Sequence, residues 1–416
     1  MRHPLPLDSN SLHCSTANYR LNEFGFLGSA QLQAESEDGS TGNFGLQDQR
    51  AAMQVLRNIA PSIGGDVSRF TIFGESAGAG SVSNHLVAKR SWGLYNRAIA
   101  ESGPEAQWVA QPFEFAQAKF DHLAHNLGCN TSDSESLPTQ TPAEVIACMR
   151  TKNVSEIQAG KHGLVSGLVQ WSPVVDGVEL TDLPFRIARD GGMNPDADVM
   201  FGTNADEGTL FIRDVPHDMT DAGYLTYLHK QLGKETGDLA YALYPSKDFI
   251  DPWWAGSRVL GDSQMSCAAR RSVRWAELAH QRAGSSAKSF LYFFAHPWLV
   301  IDLVQTVDPD ERLGVCHGSE LLGVFDLTIG MWDDAEKELG KSFVRYWTNF
   351  AINGVPSSAG DPVWPAYSNA TDMALQLDTG ANLTAVGGLK EPYCDFWDEH
   401  MFLPWAAIFG NLTGPV

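Results

Sequence analysis

Three apolar runs along the chain predict buried β-strands. They lie at residues 69–73, 198–203 and 289–294, and each carries β-branched or aromatic residues. Between them, residues 46–59 and 337–352 repeat apolar positions at helical spacing. Apolar strands separated by amphipathic helices are typical of a mostly parallel sheet that is covered on both faces. The pattern therefore predicts an α/β fold.

The composition indicates a large folded core and narrows the possible partners. Of the 416 residues, 43% are apolar and 19% are charged, which excludes a disordered chain. The 29 Lys and Arg against 50 Asp and Glu give a net charge of −21, so no nucleic-acid partner is expected. No apolar run reaches the roughly 18 residues of a membrane span. No internal repeat is visible, so we expect one domain over residues 18–416, preceded by an atypical segment, residues 1–17.

A possible nucleophile follows the first predicted strand. The motif Gly74-Glu75-Ser76-Ala77-Gly78 stands between that strand and a helical pattern. A serine hydroxyl is a weak nucleophile, and a sharp strand-to-helix turn lifts it clear of the backbone, beside N–H donors. Flanking glycines are expected there because a β-carbon would collide with the neighbouring strand or helix. A plain Gly/Ser turn is the alternative for an isolated pentapeptide, but the strand before it favours Ser76 as a nucleophile.

A nucleophilic serine needs a general base, and the base needs an acidic partner. Asp206 and Glu207 both follow the second predicted strand, at the sheet edge where such sites are built. Among the twelve histidines, His317 stands out because glycines bracket it in the segment 314–320. The residues alone leave the choice between Asp206 and Glu207 open.

These motifs resemble those of the type-B carboxylesterase/lipase family, the cholinesterase-like branch of the α/β-hydrolases, and are most similar to its fungal members. The matching segments occur in family order: NYRLNEFGFLGS at 18–29, GNFGLQDQRAAMQVLRNI at 42–59, VSRFTIFGESAGAGSV at 67–82, GLYNRAIAESG at 93–103, WSPVVDG at 171–177, GTNADEGTLF at 202–211, VCHGSEL at 315–321 and CDFWD at 394–398. The resemblance implies an α/β-hydrolase fold and a serine hydrolase of small lipophilic carboxylic esters that needs no cofactor.

The resemblance also implies roles for individual residues. Ser76 would be the nucleophile and His317 the base. Glu207, not Asp206, would be the acid, because the family's DEG motif uses its glutamate.

Further positions near the triad follow from the same resemblance. The N–H of Ala77 would be one donor of the oxyanion hole. Glu75 and Ser102 would lie next to the histidine and its carboxylate, and residues 168–171 would shape the acyl pocket.

Cysteines and glycosylation sequons indicate an extracellular protein. The resemblance implies two disulfides, Cys129–Cys148 and Cys267–Cys394, and leaves Cys14 and Cys316 unpaired. The five Asn-x-Ser/Thr sequons are at Asn130, Asn153, Asn369, Asn382 and Asn411. No Cys or His pair has C-x-x-C or H-x-x-x-H spacing, so no metal site is expected.

The start of the chain departs from the family pattern. Residues 1–17 carry neither the apolar block of a signal peptide nor the HGGG-type loop that supplies further oxyanion donors. We therefore expect a chain without the first three strands and most of the fourth, in which the nucleophile strand is an exposed edge and catalysis is impaired. The alternatives are a catalytically silent binding protein of this superfamily and an inactive truncated product.

Overall fold

The centre of the fold is a six-stranded sheet in which the spatial order of the strands equals their order in the chain. The structure is a computed structural model that describes residues 12–130, 140–163, 169–212, 215–301, 313–327, 333–357, 360–400 and 408. The strands are β1 (Thr71–Glu75), β2 (Arg97–Glu101), β3 (Asp198–Asn204), β4 (Ser289–Phe294), β5 (Met373–Leu377) and β6 (Thr384–Gly387). Strands β1 to β5 are parallel, and β6 is antiparallel to β5.

Helices occupy most of the connections between these strands. In chain order they are α1 (Asn22–Phe26), α2 (Ala30–Glu35), α3 (Phe44–Ile59), α4 (Ala77–Val87), α5 (Phe113–Asn126), α6 (Pro142–Arg150), α7 (Val154–Ala159), α8 (Pro184–Arg189), α9 (Asp221–Leu232), α10 (Lys234–Leu243), α11 (Pro252–Gly261), α12 (Cys267–Ala283), α13 (Leu321–Val324), α14 (Asp334–Asn353) and α15 (Tyr393–Glu399). A π-helical turn, Asp262–Ser266, joins α11 to α12. The parallel sheet with interleaved helices confirms the predicted α/β fold.

The main core forms where α14 packs on the aromatic strand β4. Phe290 and Tyr292 of β4 are buried, and so are Phe343 and Phe350 of α14. The rings of Phe290 and Phe350 meet edge-on, with centroids 5.9 Å apart. Burying such rings stabilises the fold by roughly 1.5–3 kcal/mol each, which explains why this run of β4 has no polar face.

Strand β1, which precedes the predicted nucleophile, is an edge strand among the described residues. It pairs with β2 on one side, and no second neighbour is present in that part of the chain. Phe73 of β1 is 39% exposed and lies 6.2 Å, centroid to centroid, from the ring of Phe325, which is 50% exposed. Within the described part of the chain, β1 is therefore an edge strand with a partly exposed aromatic side chain, and its link to a missing N-terminal part stays a prediction.

The chain forms two compact units. All six strands belong to the unit that comprises, among the described residues, those within 53–106 and 185–400. The second unit comprises the described residues within 17–52 and 107–184. Its core is helical and includes Phe120, Leu123 and Ile146. The prediction of a single domain over 18–416 stays a prediction.

Each unit contains one of the two expected disulfides. Cys129 is bonded to Cys148 in the second unit, and Cys267 of α12 is bonded to Cys394 of α15 in the first. The α12–α15 contact is also ionic, since the buried Arg270 donates to Asp395 over 2.8 Å and also pairs with Asp372. Cys14 is exposed and Cys316 is buried, and neither belongs to a disulfide.

We expect removal of the Cys267–Cys394 disulfide by a double Cys-to-Ser change to lower the free energy of unfolding by at most about 5 kcal/mol. The bond closes a loop of 127 residues, which restricts the unfolded chain. The Cys129–Cys148 bond, with a sequence separation of 19, should contribute at most about 3 kcal/mol. Urea denaturation followed by tryptophan fluorescence measures both. A larger loss for the shorter loop would contradict this loop-entropy explanation.

Candidate active site

Ser76 occupies a strained turn between β1 and α4. Its φ of 56° and ψ of −119° lie outside the regions favoured by L-residues, and its N–H donates to Glu101 O over 2.9 Å. The turn needs glycine at Gly74, because a β-carbon there would come within 2.5 Å of the Gly78 backbone. The matching expectation for Gly78 is wrong: a β-carbon there meets no described atom within 4 Å, because open space lies beside this end of the edge strand.

Ala77 opens helix α4 directly after the serine. It is exposed, and it stands in the first turn, where the N–H groups have no partner inside the helix. Such free N–H groups, together with the positive end of the helix dipole, favour negative charge. The position suits Ala77 for the predicted oxyanion contact.

Glu207 lies just beyond the end of β3 and is 1% exposed. Its Oε1 accepts hydrogen bonds from the Asn204 N–H at 2.7 Å and the Thr203 hydroxyl at 2.8 Å. Its Oε2 lies 2.7 Å from His317 Nδ1. Glu207 is therefore held on both oxygens and is the carboxylate that contacts the predicted base.

Asp206 points away from the histidine and holds the backbone of its loop. Its side chain accepts from Arg258 at 2.7 Å and from the Val315 N–H at 2.9 Å. Gly314, with φ of 59°, makes room for that carboxylate, because a β-carbon would approach Asp206 Oδ2 to 2.4 Å. The structure thus separates the two adjacent acids that the residues alone left equivalent.

His317 is buried between two carboxylates. Its side chain is 5% exposed, and the Phe211 ring packs edge-on against it with centroids 4.9 Å apart. Nε2 lies 3.1 Å from Glu75 Oε1 without hydrogen-bond geometry, and among the described residues it has no hydrogen-bond partner. The Ser76 hydroxyl is therefore not bonded to the imidazole in this structure.

Glu207 and His317 shift each other's pKa in opposite directions. Burial lowers the pKa of His317, but the hydrogen bond and charge of Glu207, aided by Glu75, raise it above the ordinary histidine value. Burial raises the pKa of Glu207, but the charge and hydrogen bond of His317 bring it below its ordinary value, helped by the hydrogen bond from the Asn204 N–H. Glu207 stays ionised, and His317 retains its proton to higher pH.

Ser102 and Glu75 lie close to this pair. Ser102 follows β2, is fully buried, and adopts φ of 59°. Its hydroxyl has no hydrogen-bond partner among the described residues. The pKa of Glu75 is raised, first by burial and then by the charge of Glu207, while His317 opposes the rise.

Two further buried acids lie near Glu75 and were not predicted. Glu101 is the register partner of Glu75 on β2 and accepts from Trp347 Nε1 at 2.9 Å, and burial raises its pKa to about 8. Glu320 is fully buried and accepts from the Asn204 amide, and burial and neighbouring carboxylates raise its pKa well above the usual range. An acid at the end of the apolar run of β2 is the sequence signal that could have revealed Glu101.

The remaining predicted positions are only partly described. Of the acyl-pocket segment, residues 169–171 are described and residue 168 is not. Asn153, Asn369 and Asn382 are exposed, Asn130 is half-buried, and Asn411 lies outside the described residues. No group of three metal-ligating side chains is found in the described ranges, and no helix within them is long and apolar enough to cross a membrane.

The parallel sheet, the strand–turn–helix around Ser76 and the carboxylate–histidine pair together define an α/β-hydrolase. More particularly, the chain belongs to the carboxylesterase family, whose family model matches residues 14–397.

Curated relatives of the chain are cholinesterases. It is 31% identical to the cholinesterase of Mus musculus over 93% of this chain and 64% of that protein. It is 29% identical to the acetylcholinesterase of Leptinotarsa decemlineata over 94% of this chain and 62% of that protein. It is 28% identical to the acetylcholinesterase of Bungarus fasciatus over 93% of this chain and 63% of that protein. The chain thus spans a little under two thirds of the length of these relatives, and its similarity to fungal members stays a prediction.

The two glycines of the serine turn should respond differently to alanine. Gly74→Ala forces a β-carbon against the backbone of α4 and should lower the free energy of unfolding by about 1–3 kcal/mol. Gly78→Ala fills open space inside the helix and should raise it by about 0.5–1 kcal/mol. Equilibrium denaturation of both variants measures the difference, and equal losses would show that the turn is not constrained as described.

Proposed function

We propose that this protein hydrolyses carboxylic esters through a Ser76–His317–Glu207 triad and an acyl-enzyme intermediate. The main support is the 2.7 Å contact between Glu207 and His317, which lies beside a serine in a strand-to-helix turn. The strained turn at Ser76 and the burial of Glu207 and His317 also support the proposal, because such features accompany this chemistry. Membership of the carboxylesterase family agrees with the proposal.

In the proposed reaction, Ser76 Oγ attacks the ester carbonyl while His317 Nε2 takes its proton. The negative charge moves to the carbonyl oxygen, where the Ala77 N–H donates a hydrogen bond. His317 then returns the proton to the departing alcohol, which leaves an acyl-serine. Water attacks this acyl group by the same proton transfers in reverse, which releases the acid and restores Ser76.

The two carboxylates next to His317 have different proposed roles. Glu207 binds Nδ1, fixes the ring orientation and stabilises the imidazolium formed in each step. Glu75 faces Nε2 at 3.1 Å in the free protein. Substrate binding must bring Nε2 onto Ser76 Oγ, a tightening that is common between free and substrate-bound sites.

The substrates that we propose are small lipophilic esters, and the proposed location is extracellular, given two disulfides and exposed sequons. The main alternative is a binding protein without catalysis. That alternative leaves the strain at Ser76 and the buried Glu207–His317 pair without a role, since both carry a cost in stability.

Ser76→Ala should abolish hydrolysis of p-nitrophenyl acylates, because it removes the attacking oxygen. An organophosphate should label the native protein at Ser76 alone, as measured by peptide mass spectrometry. Ser62→Ala is the matched control, since Ser62 is exposed and its hydroxyl bonds only to the Ile59 carbonyl. Undiminished turnover in Ser76→Ala protein would refute the proposed function.

Glu207→Gln should lower kcat by about 10⁴-fold, because it removes the charge that stabilises the imidazolium. Asp206→Asn should have a smaller effect on kcat, since Asp206 contacts Arg258 and Val315 and not the histidine. A more damaging Asp206→Asn change in single-turnover kinetics would contradict the assignment of the acid.

The pH profile gives a second test of the same pair. His317 acts as a base only when neutral, and its pKa is raised, so kcat/KM of the native enzyme should rise with pH above the ordinary histidine range. In Glu207→Gln protein the stabilising charge is gone, and the acid limb should move to lower pH. An acid limb that does not move would show that another group titrates there.

A further inference from the structure

A continuous series of buried hydrogen bonds leads from Glu207 to Lys390. Thr203 Oγ1 lies 2.8 Å from Glu207 Oε1 and 3.0 Å from Ser266 Oγ. Lys390 Nζ lies 3.1 Å from Ser266 Oγ. Thr203 and Ser266 are fully buried, Glu207 is 1% exposed, and the Lys390 side chain is 8% exposed. The series joins the end of β3, the end of the π-helical turn and the segment before α15.

The chemistry of the two ends determines the direction of every hydrogen bond in the series. An ammonium group can only donate, and an ionised carboxylate can only accept. Lys390 therefore donates to Ser266, the Ser266 hydroxyl donates to Thr203, and the Thr203 hydroxyl donates to Glu207. The other acceptor near Thr203 Oγ1 is the carbonyl of Asn204, which is uncharged and 3.4 Å away. All three donors therefore point towards the carboxylate.

Lys390 is itself held from several sides. Its ammonium pairs with Asp262, which is fully buried at the start of the π-helical turn. The second oxygen of Asp262 lies 3.1 Å from Tyr244 Oη, which accepts from Trp397 Nε1 at 2.9 Å. Burial lowers the pKa of Lys390, and the charge of Asp262 opposes that change. The cationic end of the series is therefore fixed in place.

We propose that Thr203 and Ser266 are positioning residues, through whose hydroxyl groups Lys390 orients the Glu207 carboxylate and stabilises its charge. This inference rests on the proposed function, because it gives Glu207 its importance. Hydrogen bonds in such a series polarise one another, so each donation strengthens the next. Because the Thr203 hydroxyl donates to Oε1 of Glu207, the other oxygen, Oε2, faces His317.

A purely structural role predicts a different outcome from the proposed one. If the hydroxyls served only to satisfy each other inside the core, their loss would lower stability and leave the chemistry of His317 unchanged. If they stabilise the charge of Glu207, their loss changes how strongly His317 holds its proton. Ionised Glu207 is least compensated when His317 is neutral, so removing a donor destabilises that state most and raises the pKa of His317.

The kinetic test uses Thr203→Val, which keeps the shape and removes the hydroxyl, and Thr203→Ser, which keeps the hydroxyl. For Thr203→Val we expect kcat to fall about tenfold with KM unchanged, the effect of losing one hydrogen bond to a charged group. The acid limb of kcat/KM should move to higher pH. Thr203→Ser should restore both properties, and a lower kcat with an unmoved acid limb would overturn the proposal.

Ser266→Ala tests the link to Lys390, with Ser272→Ala as its matched control. Both serines are fully buried, one just before α12 and one within it, but in the described part of the chain the Ser272 hydroxyl bonds only to the carbonyls of Ala268 and Pro104. Ser266→Ala should shift the acid limb in the same direction as Thr203→Val, by a smaller amount. Equal shifts in both serine variants would overturn the proposal.

An NMR titration of His317 in each variant separates this inference from the proposed function. The imidazole pKa is read directly and requires no turnover. If Ser76→Ala protein remains active, the proposed function fails, yet a raised His317 pKa in Thr203→Val protein still supports the series. If the pKa is the same in Thr203→Val and native protein while both melt cooperatively, the inference fails and the triad is untouched.

Discussion

The structure of the site depends on one constraint, which is that Glu207 must remain ionised although it is almost completely buried. Moving a carboxylate out of water costs several kcal/mol even after the protein relaxes, on the order of the whole stability of many domains. The cost is offset only by groups that face both oxygens. The Asn204 N–H, the Thr203 hydroxyl and His317 supply those contacts. Three segments are arranged around this charge: the end of β3, the π-helical turn and the loop that carries His317.

The same constraint explains the protonation of the surrounding acids. Four carboxylates, those of Glu75, Glu101, Glu207 and Glu320, lie close enough to raise one another's pKa. A buried cluster of this kind cannot carry four negative charges, so protons go to the members with the fewest donors. Glu101, with one indole donor, and Glu320, with one amide donor, have raised pKa values, whereas Glu207 alone has a lowered one. The charge of His317, together with the supply of hydrogen-bond donors, decides which acid is charged.

Much of the fold followed from local pattern, because the centres of strands β3 and β4 are apolar and helix α14 is amphipathic. Strand β1 begins and ends two residues later than predicted. Its backbone pairs with β2 up to the turn at Ser76. The pairing of Glu207 with His317 was expected because their motifs resemble those of the carboxylesterase family. The distance between the two residues along the chain does not predict it. The residues alone could not separate Asp206 from Glu207, because adjacent side chains differ only in where the tertiary structure points them.

The sequence could not predict the hydrogen bonds that connect Glu207 to Lys390. Thr203, Ser266 and Lys390 are common residue types, none lies in a recognisable motif of its own, and they are separated by 63 and 124 positions. Only the folded chain brings them together. The glycine turn shows the opposite error, since the pattern required small residues at both Gly74 and Gly78, while the space beside an edge strand removes the need at the second.

The wide separation of these contacts has a consequence for folding. Loop-closure entropy opposes contacts between residues far apart in sequence, so such contacts form late. His317 lies 110 residues beyond Glu207, and Lys390 lies another 73 beyond the histidine, as the positions in the sequence show. During synthesis the strand that precedes Ser76 emerges long before these partners. The nascent chain can therefore build its sheet from the N-terminal side while its reactive centre is still unassembled, and the later segment that carries Lys390 completes the electrostatic support.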